Sequence, residues 1–237
     1  MSGDSSSLTY NQTAQAITEF IEVAIHTILY VRQIYPADLF VRRKKYDTPV
    51  FQSRHPALNE YISGAVKAVG AELALGNVDK VVVLIKDKEQ VPLERFIFAI
   101  QTMIRVESYN KDTSVQDAMP SNSLQQYFRS FLIKLNMIES QLGQMQLGED
   151  ASFAVLIELQ DDAAPEAATG QDPPPWVPAE TKHTTSGASD DAELHFVRAV
   201  DTGIINLSLA VQESEEKLRR MRASDGDSSG EAPSATS

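Results

Sequence analysis

The stretch from Glu19 to Ile62, EFIEVAIHTILYVRQIYPADLFVRRKKYDTPVFQSRHPALNEYI, joins a helix that is apolar on nearly every face to a basic extended run and a second helix opened by a proline. A helix with so little polar surface has to lie at the centre of a layered domain, covered on several sides by its own chain. The pattern predicts that the first helix starts near Thr13 and stops before Pro36, whose ring disfavours helix at Tyr35. Leu39 to Tyr46 reads as extended and leads into a turn at Pro49. Pro56 takes the first position of the second helix, with His55 before it as a cap and Leu58, Ile62, Ala65, Val66 and Val69 as its apolar face. Ile17 to Tyr35 is long enough to tempt a membrane reading. Glu19, Glu22 and Arg32 would each cost about 2.5 to 3.5 kcal/mol at mid-bilayer, so no membrane is expected.

Further along, Val78 to Lys86 is a β-branched run suited to a central strand, and Val91 to Ile100 alternates as its hairpin partner, with Pro92 at the start. A third helix, capped by Ser123 and ended by Gly143, presents Leu124, Tyr127, Phe128, Phe131, Leu132, Leu135, Ile138 and Leu142 on one face. Ser152 to Leu159 is another strand. Between Asp161 and Asp191 the composition turns to Ala, Pro, Thr, Ser and Asp, with prolines at 165, 173, 174, 175 and 178, which reads as a long loop. Leu194 to Val200 and Ile204 to Val211 then return as two strands split by Asp201 to Gly203. The prediction is one α+β domain over residues 11–212, three helices on a mixed, mainly antiparallel sheet. Residues 1–10 are expected to be a disordered arm and 213–237 a polar disordered tail.

The 237 residues contain no cysteine, which removes disulfides, thiolate nucleophiles and sulfur-ligated zinc, and fits a reducing compartment. The formal charge of -12 argues against general affinity for phosphate backbones, so any link to DNA is borrowed from a partner. There is no phosphate-binding glycine loop, nucleophile elbow or zinc helix, and neither catalytic residues nor a cofactor are expected. His183, His195, Asp190 and Asp191 lack the fixed spacing of a metal site. Four other features stand out, two of them with two readings. Trp176, the single tryptophan, lies in PPPWVP and is either an anchor of a binding surface or part of a polyproline linker packed back on the domain. Tyr61 falls one position off the apolar stripe of its helix, at the rim of the core. Arg42 to Lys45 serve as an import signal or phosphate contact, or as a solvated strand edge. Arg129 reads as an exposed helical arginine beside Phe128.

The run ILYVR then YP within Ile28 to Pro36, RRKKY at Arg42 to Tyr46, PV at Pro49 and HPALNEYI at His55 to Ile62 resemble the HORMA domain, and within it the accessory subunits of translesion DNA polymerase zeta. The resemblance runs with gaps from about Gln15 to Val211. It implies a non-catalytic, nuclear adaptor whose segment 161–211 is a safety belt, folding across a proline-containing peptide of the polymerase catalytic subunit and redocking its last strands. By the same resemblance Tyr61 and Trp176 form the peptide pocket, with Leu194 a further contact. Arg42 and Arg129 belong to a face through which two HORMA domains pair, with Glu139 among the acidic groups opposite. Leu194 also matches a position near the contact with a Y-family polymerase scaffold. Ser208 and Ala210 stand where vertebrate members carry Gln and Tyr, which puts that second surface in doubt. The rival within the family is a spindle-checkpoint HORMA protein clamping mitotic partners. From another class, an enzyme with a Pro-rich regulatory loop is the alternative.

Overall fold

The structure, a computed structural model, describes residues 7–104, 107, 110–142, 145, 151–160, 164–166, 170, 174–180 and 192–227. Helix α1 (Tyr10–Val31) starts at a reciprocal cap: Gln12 N–H donates to Thr9 Oγ1 at 3.1 Å and Thr9 N–H donates to the Gln12 side chain at 3.0 Å. It therefore begins earlier than the apolar period alone predicts. The arm expected to be disordered through Tyr10 is folded from Ser7, which bridges to Pro120, while Leu8 and Tyr10 are buried and the Tyr10 hydroxyl donates to Leu73 O. Residues 1–6 lie outside the described residues.

A short 3₁₀ turn (Ala37–Leu39) leads from α1 into a two-stranded hairpin, β1 (Phe40–Lys45) and β2 (Thr48–Ser53). The turn is Tyr46 and Asp47, both at positive φ (51° and 52°), as tight two-residue hairpins require. The expected turn at Pro49 is corrected: Pro49 sits inside β2 opposite Lys44, in a ribbon where its missing N–H leaves no ladder broken on the outer side. Helix α2 (Pro56–Leu75) opens with Pro56 in its first turn and the His55 Nδ1 accepting from Leu58 N–H, and stops at Gly76, whose φ of 88° suits only a residue without Cβ.

Strands β3 (Val78–Lys86), β4 (Pro92–Thr102), β5 (Ser152–Leu159), β6 (Glu193–Asp201) and β7 (Ile205–Glu213) form one sheet in the order β5-β3-β4-β7-β6. Every pairing is antiparallel, where the sequence left the sheet mixed. Helix α3 (Ser121–Asn136) follows Pro120 without a side-chain cap, so Ser123 lies in its first turn rather than capping it. A single turn, α4 (Glu139–Leu142), comes next, and Gly143 lies outside the described residues.

The centre of the core is α1. Its Phe20 stacks on Phe128 of α3 at 4.5 Å and meets Phe98 of β4 edge-on at 6.3 Å, while Tyr30 stacks on Phe51 of the hairpin. Though long and apolar enough to cross a membrane, α1 is wrapped by sheet, helices and hairpin. The tail expected to be disordered over 213–237 is corrected as far as 227, while 228–237 lie outside the described residues. Glu213 closes β7, and helix α5 (Glu215–Asp227) follows with Lys217 buried, held partly by pairs of Glu216 with Arg219 and Arg220.

Candidate partner-binding groove

Strand β5 is one edge of the sheet and β6 the other, so the chain between residues 160 and 192 has to pass from edge to edge. Four strand spacings at about 4.8 Å make that roughly 19 Å. Among the described residues β5 pairs only with β3. Its sequence, SFAVLIEL, has one charge, Glu158, which is committed to Lys80 at 2.7 Å. The β3–β5 register shifts once, between Val78 and Lys80, but from Phe153 to Ile157 the edge carries neither charge nor proline, and such an apolar edge is a template for another extended segment.

Beside this edge lies a groove of about 1310 Å³. One wall is α2, through Ala57, Tyr61, Gly64 and Ala65; the other is the segment from Pro175 to Glu180. The structure thus brings Tyr61 and Trp176, from distant parts of the sequence, to one groove. Tyr61 is 47% exposed, and its hydroxyl accepts from Val155 N–H at 3.4 Å. That amide therefore points away from β3, toward the free edge. The Tyr61 ring meets Phe153 edge-on at 5.4 Å, and Tyr35 meets the same ring at 6.3 Å. Burial, with Tyr61 nearby, raises the Tyr35 phenol above its ordinary value, so it stays a neutral hydrogen-bonding group.

Trp176 packs partly against the core, and its indole N–H is buried without an acceptor among the described residues. A buried donor without a partner is uncommon and costs about 1–3 kcal/mol. Gly64 adds a signal that sequence reasoning missed. A Cβ there would meet nothing within 4 Å, so its smallness keeps the wall of the groove low, although glycine within a helix costs about 1 kcal/mol relative to alanine.

Leu194 is not part of this groove. It lies on β6, at the opposite edge, and is 64% exposed, so it belongs neither to the peptide pocket nor to the core. Phe196, which the sequence reading passed over, is equally exposed two residues on and pairs across to Ala210. Ser208 and Ala210 are half-buried on β7 and share the outer face with Phe196. Arg42 and Arg129 are exposed on β1 and α3. Arg129 lies near the hairpin tip, where it joins the bonded Lys44 in holding the Asp47 carboxyl below its usual range. Glu139 is half-buried in α4.

Of the histidines, His26 is in the core, where its Nδ1 accepts from Ser53 N–H and burial lowers its pKa to about 4. His195, Glu193 and Glu213 lie close enough to share a metal ion. However, Glu213 already accepts from Lys217 on one oxygen and from His195, at 2.8 Å, on the other, so the cluster is satisfied by an ammonium rather than poised for a cation. His183, Asp190 and Asp191 lie outside the described residues.

The chain matches the model of the HORMA domain over residues 13–204, a span that ends before β7 and α5. It is 34% identical over 206 residues to the rat "Mitotic spindle assembly checkpoint protein MAD2B", covering 86% of this chain and 92% of that one. It is 35% identical over 144 residues to the "DNA polymerase zeta processivity subunit" of Schizosaccharomyces pombe, covering 60% of this chain and 67% of the relative. The fold matches C. elegans HTP-1 in a structure bound to a HIM-3 closure motif, with a TM-score of 0.64 at 12% identity over 89% of this chain and 94% of that one. With its apolar central helix, antiparallel sheet and edge-to-edge crossing segment, the chain belongs to the HORMA domain family.

Proposed function

We propose that this chain is a non-catalytic adaptor that captures an extended, proline-containing segment of a partner, and that the partner is the catalytic subunit of DNA polymerase zeta. The carrying observation is the free edge of β5, an apolar strand opening onto a groove walled by Tyr61 and Trp176. The captured segment adds to β5 as a strand, its backbone answering the outward amides, while a proline sits between the two aromatic rings. Proline segments suit such a groove because they lose little conformational entropy on docking. The crossing segment of residues 161–192 and the hairpin β6–β7 act as the belt, so release requires local opening and is slow. The polymerase assignment draws on the name of the fission-yeast relative and on the RRKKY and HPALNEYI runs. It implies a nuclear role in translesion synthesis and DNA damage tolerance, with DNA contacted through the polymerase, given the charge of -12.

Leu194, Phe196, Ser208 and Ala210 at the far edge are the candidate surface for a second partner, a Y-family polymerase scaffold. Arg42 and Arg129 are the candidate face for pairing of two HORMA domains. A second reading, a spindle-checkpoint adaptor, has support in the name of the rat relative. Affinity capture of the full chain from cells of its own species, with identification of bound chains, separates the two. A B-family polymerase catalytic subunit is the expected prey; mitotic checkpoint proteins in its place would overturn the polymerase assignment.

A further inference from the structure

We infer that helix α5 is a lock whose Lys217 makes docking of the terminal hairpin β6–β7 possible. Glu94 of β4 stands directly opposite Glu213 of β7, and Glu213 stands opposite Glu193 of β6, so three carboxylates run in a row across three adjacent strands. Like charges directly opposite on a sheet repel, and the two inner ones are almost wholly buried, which strengthens the repulsion. Left to itself, this end of the hairpin would be driven off β4. Arg32, at the end of α1, answers Glu94 with two hydrogen bonds of 2.9 and 2.7 Å, and His195 Nε2 meets Glu213 Oε2 at 2.8 Å, which leaves the buried Glu213 Oε1 to a further donor. Lys217 supplies the missing cation. Its ammonium bonds Glu94 Oε1 at 2.6 Å, Glu213 Oε1, and the carbonyl of Leu142 at 2.9 Å, so all three donors of the buried group are used. Two further ties fix α5 in place: Ser214 N–H donates to Leu93 O at 2.9 Å, and Arg220 pairs with Asp87 at the β3–β4 turn at 2.9 Å.

α5 therefore turns a repulsive strand pair into an attractive one, and it does so where the belt ends. The lock bears on partner release only through the belt reading above; its effect on the hairpin stands without it. Hydrogen–deuterium exchange on the free, full-length chain tests it with Lys217→Met. Exchange should rise roughly a hundredfold across 193–201 and 205–213, the scale on which orphaning a buried charge acts, while α1 and β3 are unchanged. Adding Glu213→Gln to Lys217→Met removes one of the opposed charges and should restore most of the protection. Unchanged hairpin exchange, an equal rise in α1 and β3, or no recovery in the double variant would overturn the lock. Dissociation of a captured polymerase segment addresses the belt separately: a loosened hairpin with unaltered release leaves the lock standing and removes the belt.

Discussion

Trp176 and Tyr61 gain their meaning from each other. Neither residue type nor spacing separated an anchor from a linker tryptophan or a rim tyrosine, because the groove exists only once α2, β5 and residues 175–180 are assembled. Truncating either ring, as Trp176→Ala or Tyr61→Ala, should weaken binding of a proline-containing polymerase segment by about 2 kcal/mol or more, with little loss of fold stability, since both line an open groove. Calorimetric titration alongside thermal melting reads both quantities, and wild-type affinity in both variants would remove the pocket. His26 gives a prediction about stability instead. The folded chain keeps it unprotonated down to about pH 4, whereas an unfolded chain protonates it near 6.5. The unfolded state thus binds more protons between these values. The stability tied to His26 is complete above pH 6.5 and is lost as pH falls toward 4, on the order of 3 kcal/mol in all. Melting temperatures from pH 7 to 4.5 should show a shallower acid slope in His26→Gln, which keeps an acceptor for Ser53 N–H without a titrating ring.

Elements with a strong period or punctuation were legible in sequence. Pro56 and the His55 cap, the β3–β4 hairpin and the strand pair around Gly203 lie where the pattern put them, because each is set by local chemistry. The elements misread are those that tertiary partners define. The first turn of α1 depends on the cap between Thr9 and Gln12, a T-x-x-Q signal that was readable, but the burial of Leu8 and Tyr10 depends on α2 and on residues near 115. Helix α5 is polar in composition and is held by ion pairs to β4, β7 and the β3–β4 turn, so an average over its residues suggested nothing to bury. The edge role of β5 is likewise topological, since SFAVLIEL reads the same in the centre of a sheet as at its rim. Gly64 offers a test at this scale. Gly64→Leu places a side chain where a Cβ meets open space, so it should raise helix stability by several tenths of a kcal/mol and yet obstruct the groove. The expected result is an unchanged or higher melting temperature with partner binding weakened at least about tenfold; undiminished binding would mean that the partner does not lie against α2.

At the scale of the whole molecule, the helices cover one face of the sheet while its two edges are left to different tasks, β5 for capture and β6 beside the exposed Leu194 and Phe196. A third surface runs along α3, where Arg129, Ile133 and Met137 recur every four residues and are exposed, Met137 at 65%. An apolar line headed by an arginine suits pairing across a two-fold axis, with Glu139 of the other copy within the same face. Arg129→Ala should then sediment as a monomer at micromolar concentrations where the wild type is a dimer, and a monomeric wild type would rule the face out. The capture itself is read most directly from the amides of β5. Val155 N–H points to the free edge, and the two-residue alternation of a strand puts Ile157 N–H on the same side. Deuterium exchange at single-residue resolution, on the chain with and without the proline-containing segment of the polymerase catalytic subunit, should show protection gained at Val155 and Ile157 and none gained at Phe98 in the sheet centre. Tight binding with those two amides left as exchangeable as in the free chain would contradict strand addition at β5.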